Sequence, residues 1–291
     1  MRLAHLHLPG IIPFSQASTL QQTLVNRLLS YKKHKSDPSV TPPDPTIFTF
    51  SPNPVYTTGR RDFIPPPSAS PVTTALPSRL LLPPSLEPIR HVVTGSPPLA
   101  EFHPALRGGQ TTYHGPGQLV IYTILDLAAF RIGPRAHISL LEDCVLDVLA
   151  GYGLQRGMKT EDPGIWVKRQ DRLGEGDGQG ELLPRKIAAV GVHLRRYVSS
   201  YGVGLNVTQQ PMWFFQQIVA CGLKGRETTS LEGEGVDVGG VEMGDVANRF
   251  VNAFVRRVSD GLPSGGQGPK IDDMYRINVE DVSKMNAGHV I

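Results

Sequence analysis

The sequence predicts an α+β domain built on a mixed β-sheet flanked by helices. Three observations carry this. Apolar–polar alternation marks strands from the start of the chain, as at Arg2 to Leu8. Helical periodicity recurs between the strands, but no regular strand–helix–strand rhythm emerges. Finally, 291 residues are enough to bury a sizeable core without disulfide or metal staples.

The elements follow in order. The first strand, Arg2 to Leu8, is expected to stop at Pro9, Gly10 and Pro13. Ser18 is a candidate cap for a helix to about Tyr31, with Leu20, Leu24, Val25 and Leu28 on one face. A Pro-rich loop over 36–46 leads to a β-rich run, Thr46 to Phe50, and then the turn SPNPVYTTGRR. Segment 64–88 is low in complexity and reads as an inserted, mobile loop, with Leu80 to Leu82 as its apolar anchor. A Gly-rich stretch runs into the strand LVIY, and a helix is expected over His137–Ala150. Strands are expected near 164–167, 186–195 and 203–207, with a Gly-rich loop at 170–184. A short helix over Phe214–Val219 leads into Cys221, and another covers Ala247–Val258. Segment 232–240 reads as a loop. The reading is thus one domain over 1–260 and a loosely ordered tail over 261–291.

Composition narrows the function. Twenty-nine basic against 26 acidic residues give a net charge of +3, too balanced for a nucleic-acid partner. No apolar run is long enough to span a bilayer, and no secretory apolar stretch follows the start. The first acidic residue is Asp37, preceded by Arg2, Arg27, Lys32, Lys33 and Lys35. That start is compatible with a mitochondrial address and equally with an ordinary strand followed by a basic helix. The two cysteines, Cys144 and Cys221, fit no zinc or disulfide spacing, and no metal site is expected. Cys144 lies beside an apolar helical stripe and reads as a buried structural thiol.

Cys221, in IVACGLKG, sits before a glycine at a turn, where a thiol is accessible for attack; a small buried side chain is the alternative. A nucleophilic cysteine needs a nearby cation or helix N-terminus. Lys186 opens the apolar run KIAAVGVHL and is the candidate cation; a lysine there either snorkels to solvent or points into a pocket. The most unusual stretch is RGGQTTYHGPGQ, in which Gly108 and Gly109, then Gly115, Pro116 and Gly117, constrain a loop carrying Tyr113 and His114. Such a loop suits close approach to a ligand and donation of backbone amides to it.

Taken together, RGGQTTYHGPGQLVIY, KIAAVGV, YGVGLNV and ACGLKG, in this order and spacing, resemble the signatures of the lipoyl(octanoyl) transferases, the octanoyl-[acyl carrier protein]:protein N-octanoyltransferases. PVYTTGRR fits an earlier motif of the same family, and the Pro-rich insertion resembles a eukaryotic, fungal elaboration. The resemblance implies a catalytic domain of the biotin/lipoate protein ligase type. It implies octanoyl transfer from octanoyl-acyl carrier protein to lipoyl domains of 2-oxoacid dehydrogenase complexes and glycine cleavage H protein, in mitochondria, with no cofactor. Cys221 would be the acyl-accepting nucleophile and Lys186 its activator and acid/base. Substrate would be bound by Arg107, Gly108, Gly109, Gln110, Thr111, Thr112, Tyr113 and His114, by Ala189, Val190 and Gly191, and by Gly202, Val203 and Gly204. Two departures stand out: Ala220 replaces the usual proline before the cysteine, and Tyr201 stands where histidine is common. An ATP-dependent lipoate or biotin ligase on the same fold is the competing reading, disfavoured by the lack of a GRGRxGR-like loop. A silent module that binds carrier or lipoyl domains is a third, disfavoured by the retained Cys221 and Lys186.

Overall fold

The computed structural model describes residues 1–62, 80–169, 183–219, 222, 225–261 and 269–286. Most of the 64–88 and 170–184 insertions, and Cys221 itself, therefore lie outside the described residues.

An eight-stranded mixed sheet forms the centre, in the order β11-β1-β2-β6-β10-β9-β8-β7. Its strands are β1 (Arg2–Ile12), β2 (Thr46–Pro52), β6 (Gln118–Ile124), β7 (Gly157–Lys159), β8 (Gly164–Val167), β9 (Arg185–Arg195), β10 (Val198–Asn206) and β11 (Asp273–Ile277). The β11, β1 and β2 strands run parallel to one another, and every later pairing is antiparallel. A small second sheet joins β4 (Glu101–His103), β3 (Val55–Thr57) and β5 (Thr112–His114).

Two apolar layers sandwich the large sheet. On one face α3 (Pro134–Gly151) and α5 (Met243–Asp260) bury Leu141, Val145, Phe250 and Phe254 against Ile47, Ile121 and Leu205. On the other, α1 (Phe14–Lys33) buries Leu20, Leu24 and Leu28 against Phe48, Phe50 and Tyr122, with Val282 of α6 (Val279–Asn286) in the same layer. Each such side chain contributes roughly 1.5–3 kcal/mol on burial.

Several boundaries differ from the sequence expectation for identifiable reasons. The β1 strand does not stop at Pro9 but continues to Ile12, because its pairing with β2 shifts register between His7 and Ile11 and Gly10 takes φ +74° there. A bulge accommodates a proline that has no amide to give. The α1 helix begins at Phe14, four residues before Ser18, with no side-chain cap. Its start is held instead by tertiary packing, as the buried Phe14 ring lies near the rings of His103 and His114. The expected strand 203–207 is the far half of a β9–β10 hairpin whose two turn residues, Arg196 and Tyr197, both have positive φ (51° and 66°). The helix expected over 214–219 is α4, Met212–Gln216. The tail beyond 261 is not simply loose: β11 extends the sheet by pairing with β1, and α6 follows it. The end of the Pro-rich segment also joins the body. Leu82 and Leu86 are buried with Ile89, Val92 and Val93 of the short helical stretch 87–94, which includes α2 (Arg90–Thr94), against Tyr56 and Tyr113.

Candidate active site

The site is built where β9 and β10 run beside each other and the RGGQ loop crosses over them. Gly108 donates its amide to the Val192 carbonyl (2.9 Å), which lays the loop on β9. The approach is possible because Gly191 has no side chain: a Cβ there would stand 3.1 Å from the Gly108 carbonyl oxygen. Arg107 folds back into its own loop, donating to the carbonyls of Thr57, Gly108 and Gln110 at 2.9–3.1 Å. Thr111 is held from below, its amide and hydroxyl both donating to the Asp62 carboxylate at 2.6 and 2.8 Å.

Between loop and sheet lies a cavity of about 460 Å³. Its floor is β9 (Ala189 to Val192) and β10 (Tyr201 to Gly204), and its roof is Arg107 to Gln110 with Thr112 and His114. Ile138 of α3, Tyr122, Arg61 and the segment Glu161–Pro163 complete the walls. Lys186 and Gly222 both line it.

A β-bulge aims Lys186. The β8–β9 pairing passes from Ile165↔Ala188 to Trp166↔Lys186, so Ile187 is an extra residue in β9. Such a bulge re-aims the neighbouring side chain. Lys186 is buried; its ammonium donates to the Pro163 carbonyl (3.1 Å) and sits 4.7 Å from the centre of the Trp166 ring. It therefore does not snorkel to bulk solvent.

A chain of amide hydrogen bonds holds the opposite wall. Asn206 donates to the Thr229 carbonyl (2.9 Å), Gln118 donates to Asn206 Oδ1 (2.7 Å), and His114 Nδ1 meets Gln118 Oε1 at 2.6 Å. The Thr229 carbonyl can only accept, so this direction assigns the proton to His114 Nδ1 and leaves Nε2 as an acceptor. Burial, with Arg107 nearby, pushes the His114 pKa down to about 4 despite the Gln118 bond. The ring is neutral at physiological pH.

The sequence-nominated residues thus divide. Arg107, Gly108, Gly109, Gln110, Thr112, His114, Ala189, Val190, Gly191, Gly202, Val203, Gly204 and Lys186 line one cavity. Thr111 and Tyr113 do not. Strand alternation in β5 turns Tyr113 away into an aromatic cluster, where it stacks on Phe214 with ring centres 4.4 Å apart. Cys221 lies outside the described residues, while its chain neighbour Gly222 has φ +72° and is so close to Gln110 that a Cβ would overlap that side chain. Tyr201, which sequence reasoning left without a role, is a wall of the cavity. It adopts φ +61°, packs edge-on to Tyr122, and its hydroxyl accepts the Leu106 amide at 3.3 Å. Glu142 was missed altogether: it is a buried carboxylate on α3 that accepts the Gly164 amide at 2.8 Å.

The mixed sheet flanked by helices is the fold of the lipoate–protein ligases. A crystal structure of lipoate–protein ligase A bound with ATP superposes over 98% of this chain and 94% of its own (TM-score 0.55, 13% identity). A structure of P. falciparum LipL1 in complex with lipoate covers 99% and 68% (TM-score 0.58, 9% identity). At these identities the likeness is one of fold. Sequence goes further. The family model for the lipoyl protein ligase A/B catalytic domain matches residues 100–255. A probable octanoyltransferase of Schizosaccharomyces pombe is 35% identical over 226 residues, 78% of this chain and 83% of the relative. An octanoyltransferase of Paracoccus versutus is 39% identical over 56% of this chain and 100% of its own length. A putative mitochondrial lipoyltransferase 2 of Drosophila melanogaster is 41% identical over 46% of this chain and 51% of its own. The chain belongs to the lipoyl protein ligase A/B catalytic-domain family, and within it to the lipoyl(octanoyl) transferases; it is an acyltransferase.

Histidine burial sets an acid limit on this fold. Burial pushes His5 and His137, like His114, down to about 4 from an ordinary value of 6.5. The unfolded chain therefore binds more protons than the native one between those values, so stability falls as pH drops through that window. Each histidine contributes a slope of up to about 1.4 kcal/mol per pH unit. Glu142, whose pKa is raised chiefly by burial, acts in the opposite direction but is a single group. Urea unfolding at about pH 7 and about pH 5 is expected to show a loss of several kcal/mol at the lower pH. Equal stability at the two values would show that these rings are not held neutral by the fold.

Proposed function

We propose that this enzyme transfers an octanoyl group from octanoyl-acyl carrier protein to the lysine of lipoyl domains, through a thioester on Cys221 activated by Lys186. The reading rests on one observation above all: a buried lysine and the glycine that follows Cys221 line the same cavity. The acceptors are the lipoyl domains of 2-oxoacid dehydrogenase complexes and glycine cleavage H protein, and the compartment is the mitochondrion, in keeping with the Drosophila relative.

The chemistry then runs in two exchanges. The Cys221 thiolate attacks the carrier thioester carbonyl, and the carbonyl–sulfur bond to the carrier breaks. The departing thiolate takes a proton from the Lys186 ammonium. Next the acceptor lysine, as a neutral amine, attacks the Cys221 thioester. Neutral Lys186 takes the proton that the nitrogen sheds, and Cys221 leaves as a thiolate beside the restored ammonium. Each oxyanion needs amide donors. In the roof loop the Gly108 and Thr111 amides are already committed, to Val192 and Asp62. The amides of Gly109 and Gln110, which meet no acceptor among the described residues, are the loop's available donors. The acyl chain lies along the β9–β10 floor, where each buried methylene contributes about 0.8 kcal/mol.

The test is transfer from octanoyl-acyl carrier protein to a lipoyl domain without ATP or magnesium. The expected result is turnover together with an octanoyl-sized mass increase on the enzyme. Transfer of free octanoate only when ATP is added would instead establish an adenylating ligase, and absence of any adduct or turnover would leave a binding module.

A further inference from the structure

We propose that Glu142 is a positioning residue for Lys186, acting through the single peptide group that joins Pro163 to Gly164; this rests on the Cys221–Lys186 reading above. The two hydrogen bonds concerned use opposite ends of one peptide unit. The Gly164 N–H donates to Glu142 Oε1 at 2.8 Å, and the Pro163 C=O accepts from Lys186 Nζ at 3.1 Å. A carboxylate on one side of that dipole aligns and polarises it, and its carbonyl end faces the ammonium. Carboxylate and lysine thus form an ion pair relayed by backbone.

The packing leaves this peptide little freedom. Gly164 has φ +124°, and a Cβ there would collide with the Ala188 backbone and come within 3.3 Å of Lys186 Cε. Only glycine lets the peptide pass between α3 and β9. The adjoining turn is held by Trp166, whose indole N–H donates to the Asp162 carbonyl at 3.3 Å and whose ring lies against the Lys186 ammonium.

The charge on Glu142 needs an explanation that the hydrogen bond alone does not supply. An amide N–H is satisfied equally by a neutral glutamine, whereas a carboxylate on the face that also carries Leu141 and Val145 costs desolvation. The charged groups facing Glu142 are Lys159 of β7, Lys186 of β9 and its like-charged neighbour Asp143, itself paired with Lys159 at 2.5 Å. Toward Lys186 the cavity wall adds Glu161 and Asp162. Of these carboxylates Glu142 is the one bonded to the peptide that Lys186 touches.

The experiment is Glu142→Gln, which keeps an acceptor for Gly164 and removes the charge, made in wild-type and Lys186→Met backgrounds. The expected single variant melts no lower than wild type and keeps its KM for octanoyl-acyl carrier protein. Its kcat falls about tenfold, and the midpoint of Cys221 alkylation moves up by about half a pH unit or more. In the Lys186→Met background the same change is expected to have no further effect on either quantity. Glu142→Asp, which retains the charge, is expected to keep its alkylation midpoint nearer wild type than Gln does, and it carries the test should Gln fail to fold. A wild-type kcat and midpoint in folded Glu142→Gln, or an equal fold-loss with and without Lys186, would overturn the assignment. If Lys186→Met itself behaves as wild type, the Cys–Lys reading falls; if it loses activity and Glu142→Gln does not, only the role of Glu142 falls.

Discussion

Cys221→Ala is expected to abolish both the octanoyl adduct and net transfer, whereas Cys144→Ala leaves turnover within about twofold of wild type. Cys144 is fully buried in α3, packed in the layer with Val145 and Phe250, and burial pushes its thiol far above the ordinary range. Cys144 is therefore inert, and its loss removes only a small packed group. Cys221 precedes a glycine that lines the cavity with Lys186. Intact-mass measurement after incubation with octanoyl-acyl carrier protein reads the adduct directly, and a lipoyl-domain assay reads transfer. A Cys221→Ala enzyme that still turns over would sink the covalent mechanism.

The proposed mechanism gives Lys186 two roles that substitution can separate. Lys186→Met keeps most of the stem against Trp166 but removes the charge, and kcat/KM is expected to fall by about 10³-fold. If the ammonium stabilises the Cys221 thiolate as proposed, the thiol should titrate higher in this variant, so iodoacetamide labelling near neutral pH slows. Cys144 does not interfere with that measurement because it is buried. Lys186→Arg keeps the charge but cannot act as a base. It is expected to form the acyl-enzyme and stall before amide formation. The larger guanidinium must fit where the ammonium now meets the Pro163 carbonyl and the Trp166 ring, so acyl-enzyme formation in the variant serves as the control for misfit. An unchanged Cys221 midpoint in folded Lys186→Met would mean that the two residues are not coupled.

What could be read from the sequence was whatever is local and rare. The doubled glycines at 108–109 and the lysine opening an apolar run were visible because few connectors need such residues, and the cavity is lined by both. Tyr113 was misplaced because a loop reading ignores alternation: once 112–114 pairs as β5, its middle residue must face away from its neighbours. Glu142 was invisible because its meaning lies in Gly164, 22 residues on, and helix periodicity treats a buried acid as an interruption. The β11 strand was missed because DMYRI has little apolar pattern, and most of its residues remain accessible at a sheet edge. Pro9 and Gly10 misled for the opposite reason: strong local breakers were absorbed by a bulge that only the partner strand reveals.

The parallel pairing of β1 with β11 has a consequence for how the molecule is made. Arg2 meets Asp273, so the outer seam of the sheet closes across nearly the whole chain. Closing so long a loop costs roughly 5 kcal/mol of chain entropy, and contacts of such separation form late. Until they form, the flank of β1 that faces away from β2 presents a row of open amides and carbonyls, a template for a neighbouring chain. Docking of β11 is therefore what covers the open flank of β1, and any chain in which that strand has come loose exposes it again.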